Sequence, residues 1–327
     1  MACHVSKGGV SDFCDSPIGL YALAIPITKI DARGSIETIR GLIESRLSQI
    51  VPPGTTWPVR LHEAQRHALL SPGKRFRPLL CVFIAQGGGI KDGRDLDAAV
   101  TTGCVAEMVH AASLILDDLP CMDDAHLRRN QPTTHIAFDE STAILSATSL
   151  LNRAFGVLSR IDQVTADRRI EIIDLLSYAV GSKGLIAGQM ADLANTNTGT
   201  TIAEIERLNT LKTGALFDFS VDAAAVLSGM HASQRAALKD FSHHLGLAFQ
   251  LLDDVKDAVM SDAQAEKSVN RDIGKATILA VAGSEASKDK LNEYLSHAKA
   301  ALQRAELSNL KTLHMILDHQ FAFLRSA

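Results

Sequence analysis

Two segments, "MVHAASLILDD" at residues 108–118 and "LGLAFQLLDDVKD" at residues 245–257, limit the fold of this chain more than any other feature. Each continues a helical apolar pattern that leaves almost no polar face, and each then ends in a cluster of aspartates. A helix that is apolar all round is stable only when other elements surround it. Two of them require a bundle large enough to bury both, and charged ends of this kind belong where that interior meets water. The pattern predicts two acidic clusters at one mouth of a helical core.

The remaining sequence agrees with a bundle. Apolar residues recur at helical spacing from Ile36 to Ile50 behind Ser35, which reads as an N-cap, and again over 94–118, 137–160, 166–194, 202–229, 233–260 and 286–305. Alternating runs joined by hairpin turns are missing. The breaks "VPPGTTWP", "SPG", "QGGGIKDG" and "ANTNTGT" read as loops between helices. No long linker or internal repeat divides the chain. The expected architecture is all-α, a single-domain antiparallel helical bundle around a large central cavity, spanning 34–327 behind an N-terminal leader at 1–33. With 46% hydrophobic residues in 327, there is material for one sizeable core.

A formal charge of −4 argues against a nucleic-acid partner, which is held mainly by a basic surplus. The five cysteines, Cys3, Cys14, Cys81, Cys104 and Cys121, lack both paired spacing and the density of a disulfide scaffold, which fits a reducing cytoplasm. The apolar stretch "IGLYALAIPI" at 18–27 is short, interrupted by Pro26 and preceded by acids rather than by a basic cluster. No run approaches the roughly 20 apolar residues of a membrane span. The expectation is a soluble, cytoplasmic protein with no membrane span.

The acidic clusters carry the chemistry. Asp253 and Asp257 stand one helical turn apart and share a face, flanked by Asp254. Asp117 and Asp118 end their helix, and Pro120 opposes its continuation, so a short loop must bring Asp123 back toward them. Carboxylates crowded in this way repel one another, and all-oxygen ligation suits Mg²⁺. One such cluster reads equally well as a solvated helix end; two with matching apolar lead-ins do not. "GKRFRP" at 73–78 and "LRR" at 127–129 concentrate cations in an acidic chain. Arginine forks suit bidentate phosphate contacts and lysine a point contact. Together these describe a diphosphate site beside an apolar cavity. Three weaker signals carry no function. "HEAQRH" at 62–67 has its histidines five apart and reads as helix surface. "DIGKAT" lacks the upstream glycine and strand of a P-loop, and "QGGGIKDG" lacks the strand and spacing of a dinucleotide fingerprint.

The segments "DDLPCMD", "LRR", "GKRFRP", "KTG" (212–214), "FQLLDDVKD" and "DIGKAT" stand in the order and spacing of the trans-prenyl diphosphate synthases, from about residue 60 to the C-terminus. The chain resembles most the geranylgeranyl diphosphate synthases of bacterial carotenoid pathways. The resemblance implies the isoprenoid synthase fold, a homodimer, and condensation of isopentenyl diphosphate with allylic diphosphates (dimethylallyl, geranyl, farnesyl) to give geranylgeranyl diphosphate. It implies Mg²⁺, three ions per site with substrate bound, on Asp117, Asp118 and Asp123 of the first motif and Asp253, Asp254 and Asp257 of the second, Asp254 being counted catalytic rather than a ligand. Arg128, Lys212 and Lys267 match residues that grip the allylic diphosphate, Lys212 being counted among the catalytic groups as well. Lys74, Arg77, His110 and Arg129 match the isopentenyl diphosphate pocket, and Thr213, Gln189, Asp192, Gln250 and Lys275 match further polar positions of the site.

His110, Ser113 and Asp117 stand at i, i+3 and i+7, which supports a shared face independently. Ala112 and Ser113 occupy the positions that limit chain length in relatives, and their small size permits a twenty-carbon product. Two departures stand out: Asn130 replaces the glycine usual after the arginine pair, and Lys256 occupies a position that is apolar in many relatives. Three alternatives are a farnesyl diphosphate synthase of the same family, a class I terpene cyclase and a non-catalytic partner subunit. The complete second motif and "GKRFRP" argue against the last two.

Overall fold

The computed structural model describes residues 32–322 apart from 92, 195–198 and 260–275. Among the described residues, everything regular is helical except one ladder with two residues in each strand. In chain order the elements are α1 (Ala32–Ile50), α2 (Val59–Leu69), α3 (Phe76–Gly87), α4 (Gly93–Asp117), β1 (Leu127–Arg128), β2 (Gln131–Pro132), α5 (Thr134–Ala137) and α6 (Glu140–Leu158). Then come α7 (Ala166–Val180), α8 (Leu185–Leu193), α9 (Ile202–Asn209), a π-helical turn (Thr210–Gly214), α10 (Ala215–Ser228), α11 (Ala232–Val259), α12 (Ile278–Ala282), α13 (Ser284–Arg304) and α14 (Leu310–Gln320).

The centre of the bundle is α4, in which every residue from Ala98 to Val109 is buried. Helices α1, α2, α3, α6 and α10 pack around it, while α11 lies between α10 and α13. By length and composition α4 could cross a bilayer, contrary to the expectation that no run would reach that length. It is a core helix instead: 78% of its most apolar window is buried inside the protein. Cys81 and Cys104 are buried in the same core, and burial pushes the Cys81 thiol up to about 12, so it stays protonated and unreactive.

Several boundaries differ from the sequence expectations. Ser35 does not cap α1, which begins at Ala32, inside the segment expected to be leader; residues 1–31 of that leader lie outside the described residues. The helix expected over 166–194 is broken between Val180 and Leu185. Gly184 explains the break, because a Cβ there would lie 2.2 Å from the Ala179 carbonyl oxygen. The helix expected from 137 starts at Glu140, where the Asp139 side chain accepts from Thr142 N–H at 2.7 Å. Helix α3 has no counterpart among the expected helices: it is buried on nearly every face, so its sequence has no period to read. The small β1–β2 hairpin was also unexpected. Arg129 (φ 54°) and Asn130 (φ 59°) both adopt the left-handed conformation that a two-residue hairpin turn requires. Asparagine tolerates that conformation better than other non-glycine residues, which accounts for Asn130 in place of glycine.

Where α10 meets α11, the Asp218 carboxylate accepts from Ser242 Oγ–H at 2.5 Å. Burial, above all, pushes its pKa up to about 6; the Ser242 hydrogen bond pulls down and the neighbouring Asp222 pushes further up. A carboxyl raised above its unfolded value stabilises the protonated form of the folded state. The penalty for ionising it is therefore absent below pH about 4, grows between pH about 4 and 6, and is complete at neutrality. Asp218→Asn is expected to gain about 1–2 kcal/mol at pH 7.5 and nothing at pH 4, as read from denaturant midpoints. Equal gains at both pH values would contradict this.

Candidate active site

Helix α4 delivers the first acidic cluster. Its hydrogen bonding runs on to Asp118 N–H, which donates to the Leu114 carbonyl at 3.0 Å. The chain then turns back: Asp123 N–H donates to the Asp117 carbonyl at 2.9 Å and Ala125 N–H to that of Asp118 at 3.2 Å, so the return of Asp123 expected from Pro120 takes place. His110, Ser113 and Asp117 are all partly exposed on the face where they were expected, and Ser113 Oγ–H donates to the His110 carbonyl at 2.9 Å. Ala112 is 2% exposed. At about 100° per residue it lies about 140° round the helix from Asp117, outside the face that His110, Ser113 and Asp117 share.

The two leading aspartates have different surroundings. Burial foremost pushes the Asp117 carboxyl up to about 6; Asp123 and Asp118 add to the rise, while Lys212 and Arg128 oppose it. Its place at the C-terminal, negative end of α4 is also unfavourable to a carboxylate. Asp118 is 3% exposed, and its Oδ1 accepts from Arg128 Nη2 at 2.6 Å and Nε at 3.1 Å. Arg128, expected on a diphosphate, grips a carboxylate in this structure. Asp117 and Asp253 also act on its charge, which puts Arg128 between the two acidic motifs.

The second cluster stands near the end of α11, with Asp254 and Asp257 buried and Asp253 partly exposed. Where α11 crosses the π-helical turn, a Cβ on Gly246 would lie 2.9 Å from Gly214 Cα, so the two backbones touch. The π turn carries "KTG", and a mid-helix π turn re-aims side chains. Lys212 Nζ reaches Asp192 Oδ2 at 2.6 Å. Thr213 Oγ1–H donates to Gln250 Oε1 at 2.5 Å, and Gln250 Nε2–H to Asp254 Oδ1 at 2.8 Å, which ties the turn to the second cluster. Both amide atoms of Gln189 are buried without a partner among the described residues.

The basic residues divide by role. Arg77 is buried, with its guanidinium carbon 4.6 Å from the centre of the Phe217 ring and 5.4 Å from that of Phe249. Burial lowers its pKa to about 10, with Arg129 adding to the drop and Glu107 and Asp253 opposing it, so it remains a cation. His110 is held well below its ordinary value, first by burial and then by Arg77, and is neutral. Lys74 is exposed, and its carbonyl accepts from Arg40 Nη1 at 3.2 Å.

Sequence reasoning missed the group that organises these cations. Glu107, 3% exposed, accepts from Arg75 Nη1 at 2.8 Å and Arg129 Nη2 at 3.4 Å. Arg75 also donates to Glu44 Oε1 at 2.7 Å and to the Ser71 carbonyl at 2.7 Å. Of the arginines in "GKRFRP", Arg75 is therefore structural and Arg77 faces the site. Burial by itself would raise the Glu107 carboxyl, but the Arg129 and Arg75 cations, with the Arg75 hydrogen bond, outweigh it and pull it down to about 2. A single glutamate inside the apolar run "CVAEMVHAA" was the available signal. Glu107→Ala is expected to cost about 3–5 kcal/mol in denaturant unfolding, because it takes from buried Arg75 one of its two carboxylate partners. A loss below about 1 kcal/mol would refute this role.

Lys267 and Lys275 lie outside the described residues. Among the described residues no three histidine, cysteine, aspartate or glutamate side chains by themselves enclose an ion. The donor set still fits Mg²⁺, which keeps several waters and takes one or two carboxylates together with substrate phosphate.

The same architecture occurs in solved enzymes of isoprenoid chain growth. With the geranyltransferase of Helicobacter pylori, solved in complex with magnesium and isoprenyl diphosphate, the TM-score is 0.80 at 27% identity, covering 92% of this chain and 99% of that one. With an FPP/GFPP synthase from Zymomonas mobilis it is 0.75 at 33% identity, covering 87% and 98%. The fold is the isoprenoid synthase fold. The pattern of the polyprenyl synthetase family matches residues 58–311, so the chain belongs to that family and is a prenyltransferase. A geranylgeranyl diphosphate synthase of Pantoea ananas is 39% identical over 286 residues, 87% of this chain and 92% of that protein. A second, from Pseudescherichia vulneris, is 38% identical over 263 residues, covering 80% and 84%. The farnesyl diphosphate synthase of Bacillus subtilis follows at 36% over 288 residues, covering 85% and 95%.

Proposed function

We propose that this prenyltransferase condenses isopentenyl diphosphate with allylic diphosphates, in the presence of Mg²⁺, to make geranylgeranyl diphosphate. The observation that carries the reading is the position of Arg128 between two acidic motifs, with Lys212 also acting on Asp117. The small, buried Ala112 supports a product longer than fifteen carbons, as do the two geranylgeranyl synthases among the relatives. The farnesyl synthase at similar identity makes farnesyl diphosphate the runner-up.

Mg²⁺ bound to Asp117, Asp118 and Asp123 and to Asp253 and Asp257 would neutralise charge building on the departing diphosphate. Lys212 and Arg128 hold the allylic diphosphate and share in stabilising it as it leaves, with Lys267 assigned the same task. Arg77, Arg129 and Lys74 hold isopentenyl diphosphate, and neutral His110 contributes a hydrogen bond rather than a charge. The ionised allylic group alkylates the double bond of isopentenyl diphosphate, and a proton is then lost to the released diphosphate, so no dedicated protein base is required. The chain Thr213–Gln250–Asp254 keeps the second motif oriented. Phe217, Phe249 and the apolar face of α4 exclude water from the cation.

A second copy of the chain is the proposed partner. Exposed apolar residues on three successive helices, Ile144 and Leu145 on α6, Ile170 and Tyr178 on α7, Ile186 and Met190 on α8, suit a homodimer interface. A reducing cytoplasm and a carotenoid pathway complete the reading. Separate titration of the two substrates tests it. Arg129→Ala and Lys74→Ala are expected to raise mainly the KM for isopentenyl diphosphate, Lys212→Ala and Arg128→Ala mainly that for the allylic partner. Equal rises in both constants for all four variants would overturn the division of pockets.

A further inference from the structure

Arg129 stands in the turn between β1 and β2, and its side chain is 20% exposed, in a seat made by three other residues. Its Nη2 donates to Glu107 Oε1 at 3.4 Å and its Nη1 to Ser71 Oγ at 3.2 Å. The flat guanidinium passes close over Gly73, where a Cβ would lie 3.1 Å from both Cζ and Nη1. Two of the five N–H groups of the fork are thus committed to these partners, which leaves three for a phosphate.

Ser71 belongs to none of the charged motifs. It follows the last turn of α2 and is 8% exposed. Its hydroxyl hydrogen goes to the Ala68 carbonyl at 2.8 Å, one of the carbonyls that a helix end leaves over. A hydroxyl has one hydrogen to give, so toward Arg129 the Ser71 oxygen can only accept, and a guanidinium can only donate. The Ser71 carbonyl accepts from Arg75 Nη2 at 2.7 Å, and Arg75 is itself held by Glu44 and Glu107. Ser71 is therefore fixed through its side chain and its backbone. The Glu107 contact to Arg129, at 3.4 Å, is long for a hydrogen bond and by itself would let the fork swing about one nitrogen; a second acceptor on the other nitrogen sets its plane.

We propose that Ser71 is a positioning residue for isopentenyl diphosphate: together with Glu107 it fixes the plane of the Arg129 guanidinium, so that the uncommitted N–H groups meet the diphosphate without a search. Ser71 acts through Arg129. This rests on the reading of Arg129 as a group that holds isopentenyl diphosphate.

Steady-state kinetics on the full chain, with the two substrates titrated separately, tests it. Ser71→Ala removes the acceptor and little volume. It is expected to raise the KM for isopentenyl diphosphate about fivefold, with the allylic KM and kcat unchanged to within about twofold. Ser71→Thr keeps the hydroxyl, has a void of about 30 Å³ beside it for the added methyl group, and should restore the wild-type constant. Ser71→Ala added to Arg129→Ala should raise the isopentenyl KM no further than Arg129→Ala does alone. A wild-type isopentenyl KM in Ser71→Ala beside a raised one in Arg129→Ala would overturn the proposal. So would equal rises of both KM values with a lower thermal midpoint, or a Ser71→Thr variant as impaired as Ser71→Ala, either of which would make Ser71 a packing residue. If Arg129→Ala itself left the isopentenyl KM unchanged, the reading of Arg129 would fall, and this proposal with it.

Discussion

Asp117→Ala is expected to lower turnover by about 10³-fold or more while the protein stays folded. The carboxylate is partly exposed, so its removal opens no core cavity. Its raised pKa means that ionised Asp117 disfavours the folded state at neutral pH, and its loss should leave the thermal midpoint unchanged or slightly higher. Loss of rate without loss of stability separates a metal ligand from a structural acid. Asp253→Ala should behave alike. Chelation should abolish activity in the unmodified enzyme, and added Mg²⁺ should restore it. A folded Asp117→Ala variant that kept near-normal rates would remove the metal assignment.

The second large effect concerns product length. Ala112→Tyr is expected to shift the main product from geranylgeranyl to farnesyl diphosphate by putting a ring where α4 now carries a methyl group. Ala112 is 2% exposed and packed among other helices, so the ring can be admitted only toward the substrate side or at the expense of about 1–3 kcal/mol of repacking. Chromatography of dephosphorylated products reads the shift directly, and a denaturation curve shows whether strain accompanies it. A tyrosine variant that made the twenty-carbon product at full yield would end the role given to Ala112.

Much of the fold could be read from the chain because amphipathic helices declare themselves. The acid-ended helices α4 and α11 were placed within a residue or two of their bounds, since an all-apolar run that stops at aspartate leaves few choices. What escaped was backbone detail carried by one or two residues. The hairpin depends on the left-handed Arg129–Asn130 pair, and asparagine in place of glycine weakens its signature. The break before α8 depends on how closely Gly184 approaches the end of α7, a backbone geometry that the residue pattern does not spell out.

In the site, motif residues announced themselves by charge, but their partners did not. Nothing in "GKRFRP" says that Arg75 turns inward to Glu44 and Glu107 while Arg77 lies over Phe217 and Phe249. The pairing of Arg128 with Asp118 is likewise set by the loop that folds back after Pro120.

The central claim is that this site elongates allylic diphosphates to twenty carbons. Its most direct test is to incubate the purified protein with Mg²⁺, isopentenyl diphosphate and, in turn, dimethylallyl, geranyl and farnesyl diphosphate, and to identify the products. Geranylgeranyl diphosphate from each primer that reacts, and no product after chelation, is the predicted result; a reaction that stops at farnesyl diphosphate, or no condensation with any primer, would contradict it.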